Sequence, residues 1–426
     1  MRAVIFDLDG TLTQSDEGIY KSICYAAEKL GFSAPEETER RKFVGPPLLW
    51  SFRELIGMDE EQAQQALVAY RERYWAVGLF ENRVYPGIRN LLRMLKRRGD
   101  WVAIATGKPI EPSRRIMEHF GLLRYFDRIV GPGFGEASAE KDALIRAALP
   151  EQYDEAVMVG DRCFDIEGAK AVGITSVGAG YGYGTEEELR EAGCNHYAAT
   201  VSDLISLLCS GEKPVPGAFL SVEGLDGSGK STQIRLLAEA LDRWGFVVRH
   251  SREPGGSPVG EHIREILLSR ASEMEPLTEA LLFAASRAEH VRQVIRPAVA
   301  RGEVLLCDRF VDSSVAYQGG GRELGVQHVL NLNAEAVDGT LPLVTLYLDI
   351  GHEAALQRRT AASDPDRLES EPDDFHARVE AAYHQLIAAD PERFAVVDAT
   401  QPPEAVGEAA AKAVIARLVA AEEAQA

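Results

Sequence analysis

The sequence is short of positive charge, of cysteine and of long apolar runs, and each shortage excludes something. Against 66 Asp and Glu it sets 46 Lys and Arg, a formal net charge of −20 over 426 residues. A nucleic-acid partner would need a basic stripe, so none is expected. Phosphate ligands remain open, because charges beyond a Debye length of about 8 Å are screened and a few local arginines can dominate a pocket. The five cysteines, Cys24, Cys163, Cys194, Cys209 and Cys307, are scattered without CxxC spacing. That argues for free thiols in a reducing compartment and against a disulfide framework or zinc site. No stretch approaches ~18 consecutive apolar residues. The first apolar run stops at Asp7, too short for the core of a signal peptide. No membrane contact and a cytoplasmic location are therefore expected.

What is present is a repeated alternation of short apolar strands and amphipathic helices, the pattern of an α/β protein with parallel sheets. Its length suggests two or three domains. Strands are expected at 3–6, 102–106, 128–131, 156–160 and 174–178, and after a break at 219–223, 246–250, 304–308, 343–349 and 394–398. The break, "CSGEKPVPG" at 209–217, is polar and rich in Pro and Gly, as a linker should be. Domains at 1–208 and 218–426 are the consequence. Residues 16 to about 80 offer helical patterns and no convincing strand, which marks a helical insertion. The Ala-rich tail 403–426 has the periodicity of a surface helix.

In "VIFDLDGTL", Asp7 and Asp9 follow an apolar strand, with Gly10 and Thr11 completing the turn. Carboxylates at i and i+2 of an extended segment face one side, which suits nucleophilic attack on phosphorus with general acid–base help. An acidic loop at a strand end would read the same way in isolation. Three further pieces favour chemistry: Thr106 ending "VAIAT", Lys141 in "SAEKDALI", and Asp161 and Asp165 in "MVGDRCFDIEGA". The last pair suits Mg²⁺, which takes oxygen ligands. Four elements in this order resemble the haloacid dehalogenase superfamily of phosphohydrolases, over about 1–208. The resemblance implies a capped Rossmann-like fold with the helical insertion as the cap. It implies Asp7 as the nucleophile forming an aspartyl-phosphate, and Asp9 as the acid that protonates the leaving group and then activates water. Thr106 and Lys141 would bind phosphate. Mg²⁺ would be held by Asp7, the Asp9 backbone carbonyl, Asp161 and Asp165. "GAKAVGITSVGAGYGYGTEEEL" looks like the phosphoglycolate phosphatase and 5′-nucleotidase-like branch. "ATGKP" departs from relatives that carry Ser after Thr, which leaves Lys108 as an alternative to Lys141.

The second half starts with "FLSVEGLDGSGKST". Gly224, Gly229, Lys230 and Ser231 satisfy G-x-x-x-x-G-K-[ST] between a strand and a helix, where backbone N–H groups wrap phosphates, the lysine reaches their oxygens and the serine ligates Mg²⁺. The ATP loop therefore comprises Gly224, Leu225, Asp226, Gly227, Ser228, Gly229, Lys230, Ser231 and Thr232. "VLLCDRF" ends a strand at Asp308, a second metal-binding candidate. Again absences decide: no Glu follows Asp308 to activate water, and no NKxD motif specifies guanine. The phosphoryl acceptor is then a bound molecule, not water.

"REPGG" at 252–256, "LLFAASRAEHV" at 281–291, "DRFVDSSVAYQGGGRELG" at 308–325 and "DRLE" at 366–369 together resemble bacterial thymidylate kinases across 218–426. The resemblance implies a P-loop nucleoside monophosphate kinase fold, a homodimer, and transfer from ATP to dTMP with Mg²⁺. Arg252 and Arg309 would grip the dTMP phosphate, and Phe283 would stack on thymine. Arg287 would meet a base oxygen, Asp226 the sugar 3′-OH, and Tyr317 with Gln318 the remaining pocket. The loop interior "LDGS" lacks the arginine that some members place there. Transition-state charge would then fall to the lid at 358–372, to Arg367 with Arg358 or Arg359 as alternates. One half would take phosphate off a substrate and the other would put it on.

Overall fold

The computed structural model describes residues 1–133, 140–360 and 367–424, less the side chains of residues 359 and 360. It divides into two compact units, one built on Met1–Glu212 and the other on Lys213–Leu241 with the chain from Val247 on.

The first unit contains β1 (Arg2–Phe6), β2 (Thr13–Gln14), β3 (Arg83–Val84), β4 (Trp101–Ala105), β5 (Arg128–Val130), β6 (Glu155–Gly160), β7 (Thr175–Ala179) and β8 (His196–Ala198). Six of these form one parallel sheet in the order β5-β4-β1-β6-β7-β8. Residues 3–6 of β1 are wholly buried. A strand covered on both faces needs an unbroken apolar run, which is what "AVIF" supplies. After β1 the chain adds β4 on one side and later β6 on the other, so the order reverses at β1. Ligands of open α/β sheets bind at such a reversal, outside the carboxyl ends of the strands. Asp7, Thr106 and Asp161 each follow directly on one of those ends.

The chain between β2 and β3 is helical, as the sequence suggests, and its principal helices are Asp16–Lys29 and Glu60–Arg73. The second starts where Asp59 and Gln62 exchange side-chain and backbone hydrogen bonds, satisfying amides that a helix start leaves open. The antiparallel pairing of β2 with β3 closes the stem of this insertion.

The second unit has β9 (Ala218–Glu223), β10 (Val248–Arg252), β11 (Val304–Asp308), β12 (Val344–Asp349) and β13 (Phe394–Asp398), all parallel, in the order β10-β11-β9-β12-β13. The order reverses at β9, and the phosphate-loop sequence begins at its carboxyl end. A helix, Pro403–Glu423, covers the tail.

Candidate active sites

In the first unit the β1 turn and the β6 turn bring three carboxylates together. Oxygens of Asp7, Asp161 and Asp165 lie within 4.8 Å of one another, all three residues buried. Gly10 makes the approach possible. Its φ is +89°, and a Cβ there would sit 2.2 Å from Asp161 Oδ2, so only glycine fits. Asp161 accepts from the Thr11 hydroxyl at 3.1 Å and from the Tyr183 backbone N–H at 2.9 Å. Asp165 accepts from the Arg162 N–H at 3.1 Å, which aims it from the first turn of the Cys163–Val172 helix.

Lys141 opens the helix Lys141–Ala148 and places its ammonium 2.6 Å from both Asp7 and Asp165. Burial raises the Asp7 carboxyl to about 6, with Lys141 opposing and Asp165 adding to the rise. Burial also lifts Asp161 well above the ordinary range. Burial works against the Lys141 ammonium, but Asp165 and Asp7 outweigh it and hold the lysine above its usual value. Three crowded carboxylates against one cation form a donor set of oxygens only, which fits a divalent cation of the Mg²⁺ type. The alternative lysine occupies a different place. Lys108 Nζ lies 2.6 Å from Asp9 Oδ2, while the Thr106 hydroxyl accepts from the Lys108 backbone N–H at 3.2 Å. Lys141 thus faces the expected nucleophile and Lys108 the expected acid.

In the second unit a cavity of about 490 Å³ is lined by Asp226, Gly227, Gly229, Lys230, Ser231 and Thr232 on one side and by Arg252, Phe283, Arg287, Arg309, Tyr317 and Gln318 on another. Lys230 starts the helix Lys230–Arg243, whose open N–H groups suit an anion. Its Nζ donates to the carbonyls of Gly224 and Leu225 at 3.1 and 3.0 Å and lies 3.4 Å from Asp226. Ser228 is buried with its hydroxyl oxygen unpartnered. Burial, then repulsion from Arg309, keeps the Lys230 ammonium below its usual value. Phosphate oxygens would relieve both effects. Asp226 accepts from Arg309 and, at 2.7 Å, from the Tyr317 hydroxyl. Burial opposes its charge, yet Arg309 and Lys230 hold it well below the usual carboxylate range. Asp308 also lines the cavity, with one buried carboxylate oxygen unpartnered.

Two buried polar atoms of cavity-lining residues lack a partner. Arg287 is 1% exposed and bonds Asn333, Ser314 and the Phe310 carbonyl, but its Nε has no partner. Gln318 donates to Glu279 at 2.8 Å and leaves its Oε1 unpaired. A buried donor and a buried acceptor without partners, both on residues of one cavity, are satisfied by a ligand or water that brings the complementary groups. Phe283 is buried against Leu267 and Leu368 while also lining the cavity, so it serves core and wall together. Arg252 is half-exposed and bonds Glu261 at 2.9 Å.

In the lid, Arg367 and Arg358 have different surroundings. Arg367 donates to Glu279 at 2.7 Å and to the Leu267 carbonyl at 2.9 Å. That buried carboxylate is shared with Arg322 and Gln318. Arg358 instead lines the cavity. The Arg359 side chain lies outside the described residues.

Glu223 escaped sequence reading, which stopped at the motif's first glycine, one residue on. It is wholly buried. It accepts from the Phe310 N–H at 2.7 Å, the Ser313 hydroxyl at 2.6 Å and the Tyr383 hydroxyl at 2.9 Å. Burial, then Asp312, raises its carboxyl to about 7. Arg309 donates in turn to Ser313 at 3.0 Å and Tyr383 at 3.4 Å, on a left-handed backbone with φ +67° that a non-glycine residue adopts at a cost. A buried acid at the end of an otherwise apolar strand was the available signal.

The family model for thymidylate kinase matches residues 222–410, and that for haloacid dehalogenase-like hydrolases matches residues 4–179. A thymidylate kinase of Clavibacter sepedonicus is 52% identical over 191 residues, 45% of this chain and 90% of the relative. One from Deinococcus radiodurans is 46% identical over 188 residues, 44% of this chain and 91% of the relative. Among solved structures, a haloacid dehalogenase-like hydrolase from Streptococcus pneumoniae aligns over 48% of this chain and 97% of its own, with 31% identity and a TM-score of 0.44.

Proposed function

The chain belongs to the thymidylate kinase family by its second half and carries a haloacid dehalogenase-like phosphatase in its first, and from that premise we propose a bifunctional enzyme. The second unit transfers the terminal phosphoryl group of ATP to dTMP, giving dTDP and ADP. The first hydrolyses a small phosphomonoester.

For the kinase, the carrying observation is that Arg287 and Gln318, two cavity-lining residues, each keep one buried polar atom, Nε and Oε1, without a partner. Thymine presents a carbonyl oxygen to the first and its ring N–H to the second. Cytosine has no ring N–H at that position and would leave the glutamine oxygen bare, which costs more than a mere loss of contact. Arg252 and Arg309 hold the dTMP phosphate in a bidentate manner, and Asp226 with Tyr317 meets the sugar. Lys230 binds the ATP phosphates, and Arg358 supplies positive charge as the phosphoryl group moves. Ser231 and Asp308 would hold Mg²⁺, which would offset the negative charge of the phosphates. Turnover of dTMP, dUMP, dCMP and thymidine tests this. dTMP should lead, dUMP should trail it by the ~1–3 kcal/mol that a methyl contributes, and efficient dCMP turnover would overturn the assignment. The assembly is proposed to be a homodimer, checked by native mass.

For the phosphatase, the carrying observation is the cluster of Asp7, Asp161 and Asp165 with Lys141 between two of them. Asp7 attacks phosphorus as the ester bond breaks, and Asp9 gives its proton to the departing oxygen. Water then attacks the aspartyl-phosphate, passes a proton to Asp9, and phosphate leaves. Lys141 and Thr106 hold the phosphoryl oxygens. Asp7, Asp161, Asp165 and the Asp9 carbonyl would hold Mg²⁺, which neutralises charge in the crowded cluster. A phosphatase screen with Mg²⁺, including 2-phosphoglycolate and the deoxynucleoside monophosphates, tests this half; no phosphate release from any ester would overturn it.

A further inference from the structure

A glutamine presents either an acceptor or a donor to a ligand, according to which way its amide faces, and at Gln318 a neighbour sets that direction. Gln318 Nε2 donates to Glu279 Oε1 at 2.8 Å. Its Oε1 is buried without a partner, on a residue that lines the cavity. Glu279 is 1% exposed. Arg322 donates to its two oxygens at 3.3 and 3.2 Å, and Arg367 to Oε2 at 2.7 Å. Glu279 sits in the first turn of the helix Pro276–His290, and Phe283 and Arg287 follow it at intervals of four. Residues so spaced share a helix face, so this carboxylate stands on the face that carries two residues lining the cavity.

The two ends of an amide are nearly equal in shape and opposite in hydrogen bonding, so shape alone does not orient Gln318. A carboxylate held by two guanidinium groups only accepts. Turning the amide over would lose a hydrogen bond and set two acceptors face to face in a buried site. The amide oxygen, not the NH2, is therefore what remains for a ligand. Given the dTMP reading above, on which this step rests, that direction decides between bases. Thymine and uracil carry a ring N–H where cytosine carries an unprotonated ring nitrogen. The amide oxygen fits the first two, and only an amide NH2 would fit the third.

We propose that Glu279 is a positioning residue for base selection, fixing the Gln318 amide so that its oxygen meets a ring N–H and a ring acceptor is rejected. It acts through Gln318 and not on the substrate. Glu279→Gln brings an NH2 that can donate to the Gln318 oxygen, which frees the amide to turn and removes the basis of the rejection.

The test measures kcat/KM for dTMP, dUMP and dCMP in full-length wild type, Glu279→Gln, Gln318→Leu and the double variant. Wild type should favour dTMP over dCMP roughly a thousandfold or more, and Glu279→Gln should lower that ratio about tenfold or more. The ratio of dTMP to dUMP, which share the ring N–H, should stay within about threefold of wild type, since the methyl contact is untouched. In the Gln318→Leu background Glu279→Gln should change the dTMP-to-dCMP ratio by less than about twofold, as expected of a residue that acts through another. Both ratios falling together in Glu279→Gln would mark a loosened site and overturn the proposal. So would a dTMP-to-dCMP ratio that Gln318→Leu lowers and Glu279→Gln does not. Wild type that turns over dCMP as well as dTMP, or Gln318→Leu without effect on the ratio, would instead overturn the base reading assigned to Gln318, and the role of Glu279 with it. Should Glu279→Gln not fold, Glu279→Gln with Arg367→Met, which removes a cation along with the lost anion, takes its place and is read against Arg367→Met alone.

Discussion

Single residues carry opposite duties in the two units, and two substitutions separate them. Lys230 sits at the start of its helix, beside the carbonyls of Gly224 and Leu225. Lys230→Ala removes a donor that acts on charge developing in transfer, a loss on the order of 3 kcal/mol and a hundredfold or more in kcat. dTMP binding, measured by calorimetry, should persist through Arg252 and Arg309; turnover above about a tenth of wild type would contradict the assignment. Asp7 makes a pH prediction. Its carboxyl is raised to about 6, by burial foremost, above the unfolded value of about 3.8. The metal-free fold therefore keeps a proton that the unfolded chain has released, and this contribution to stability is lost as pH rises from ~4 to ~6. Asp7→Asn removes that loss and leaves Lys141 its partner Asp165 at 2.6 Å. In EDTA the variant should melt a few degrees above wild type at pH 7, with the gap closing toward pH 4. A variant that melts below wild type at pH 7 would show that the Lys141 pair outweighs burial.

At the level of elements, the parallel strands are readable from the sequence because two-sided burial forces apolar runs such as "AVIF" and "VLLC", and both motif turns sit at sheet reversals. The pairing of β2 with β3 is not readable, since two residues have no period. β8, with the sequence HYA, lacks even the short apolar run that marks the equally short β5, RIV. The pairing of Arg367 with Glu279 is not readable either, because Glu279 lies far off in sequence and belongs to no motif. Glu223 stays hidden because its role lies in joining two strands' ends, β9 to the turn after β11, and only the fold brings Phe310, Ser313 and Tyr383 to it. Glu223→Ala would leave the Phe310 N–H without its acceptor and the Ser313 and Tyr383 hydroxyls with only each other, and would loosen the left-handed turn at Arg309. The expected outcome is a fall of tenfold or more in kcat/KM for dTMP, with KM for ATP within threefold and Glu223→Gln intermediate, since glutamine keeps one acceptor. Equal rises in both KM values would reduce Glu223 to a merely structural role. In the lid, Arg358→Ala should lower kcat far more than Arg367→Ala, by up to the 10³–10⁵ that such an arginine contributes to phosphoryl transfer. The reverse order would restore Arg367 to the transition state and mean that it leaves Glu279 during turnover.

For the whole molecule the question is why one chain joins a unit that removes phosphate to one that adds it. If the first unit hydrolysed dTMP well, the chain would consume the substrate of its own kinase and spend ATP to no effect. Aspartyl-phosphate chemistry does not prevent this, because Asp7 will attack any phosphomonoester that reaches it. Discrimination must come from the helical insertion between β2 and β3 and from affinity. Each unit also holds its own set of proposed catalytic groups, Asp7, Asp9, Asp161 and Lys141 in one and Lys230, Arg309 and Asp308 in the other. Asp7→Asn, which replaces an anionic nucleophile with a neutral amide, should therefore abolish phosphate release by the first unit. It should leave the initial rate of dTDP formation within about twofold, or ~0.4 kcal/mol in barrier height. The decisive control omits ATP and monitors dTMP with Mg²⁺ over hours in both proteins. Equal persistence of dTMP means the two activities draw on different pools. Slower loss in Asp7→Asn than in wild type would make the first unit a nucleotidase that opposes its partner, and loss of kinase rate in the same variant would show that the units are coupled.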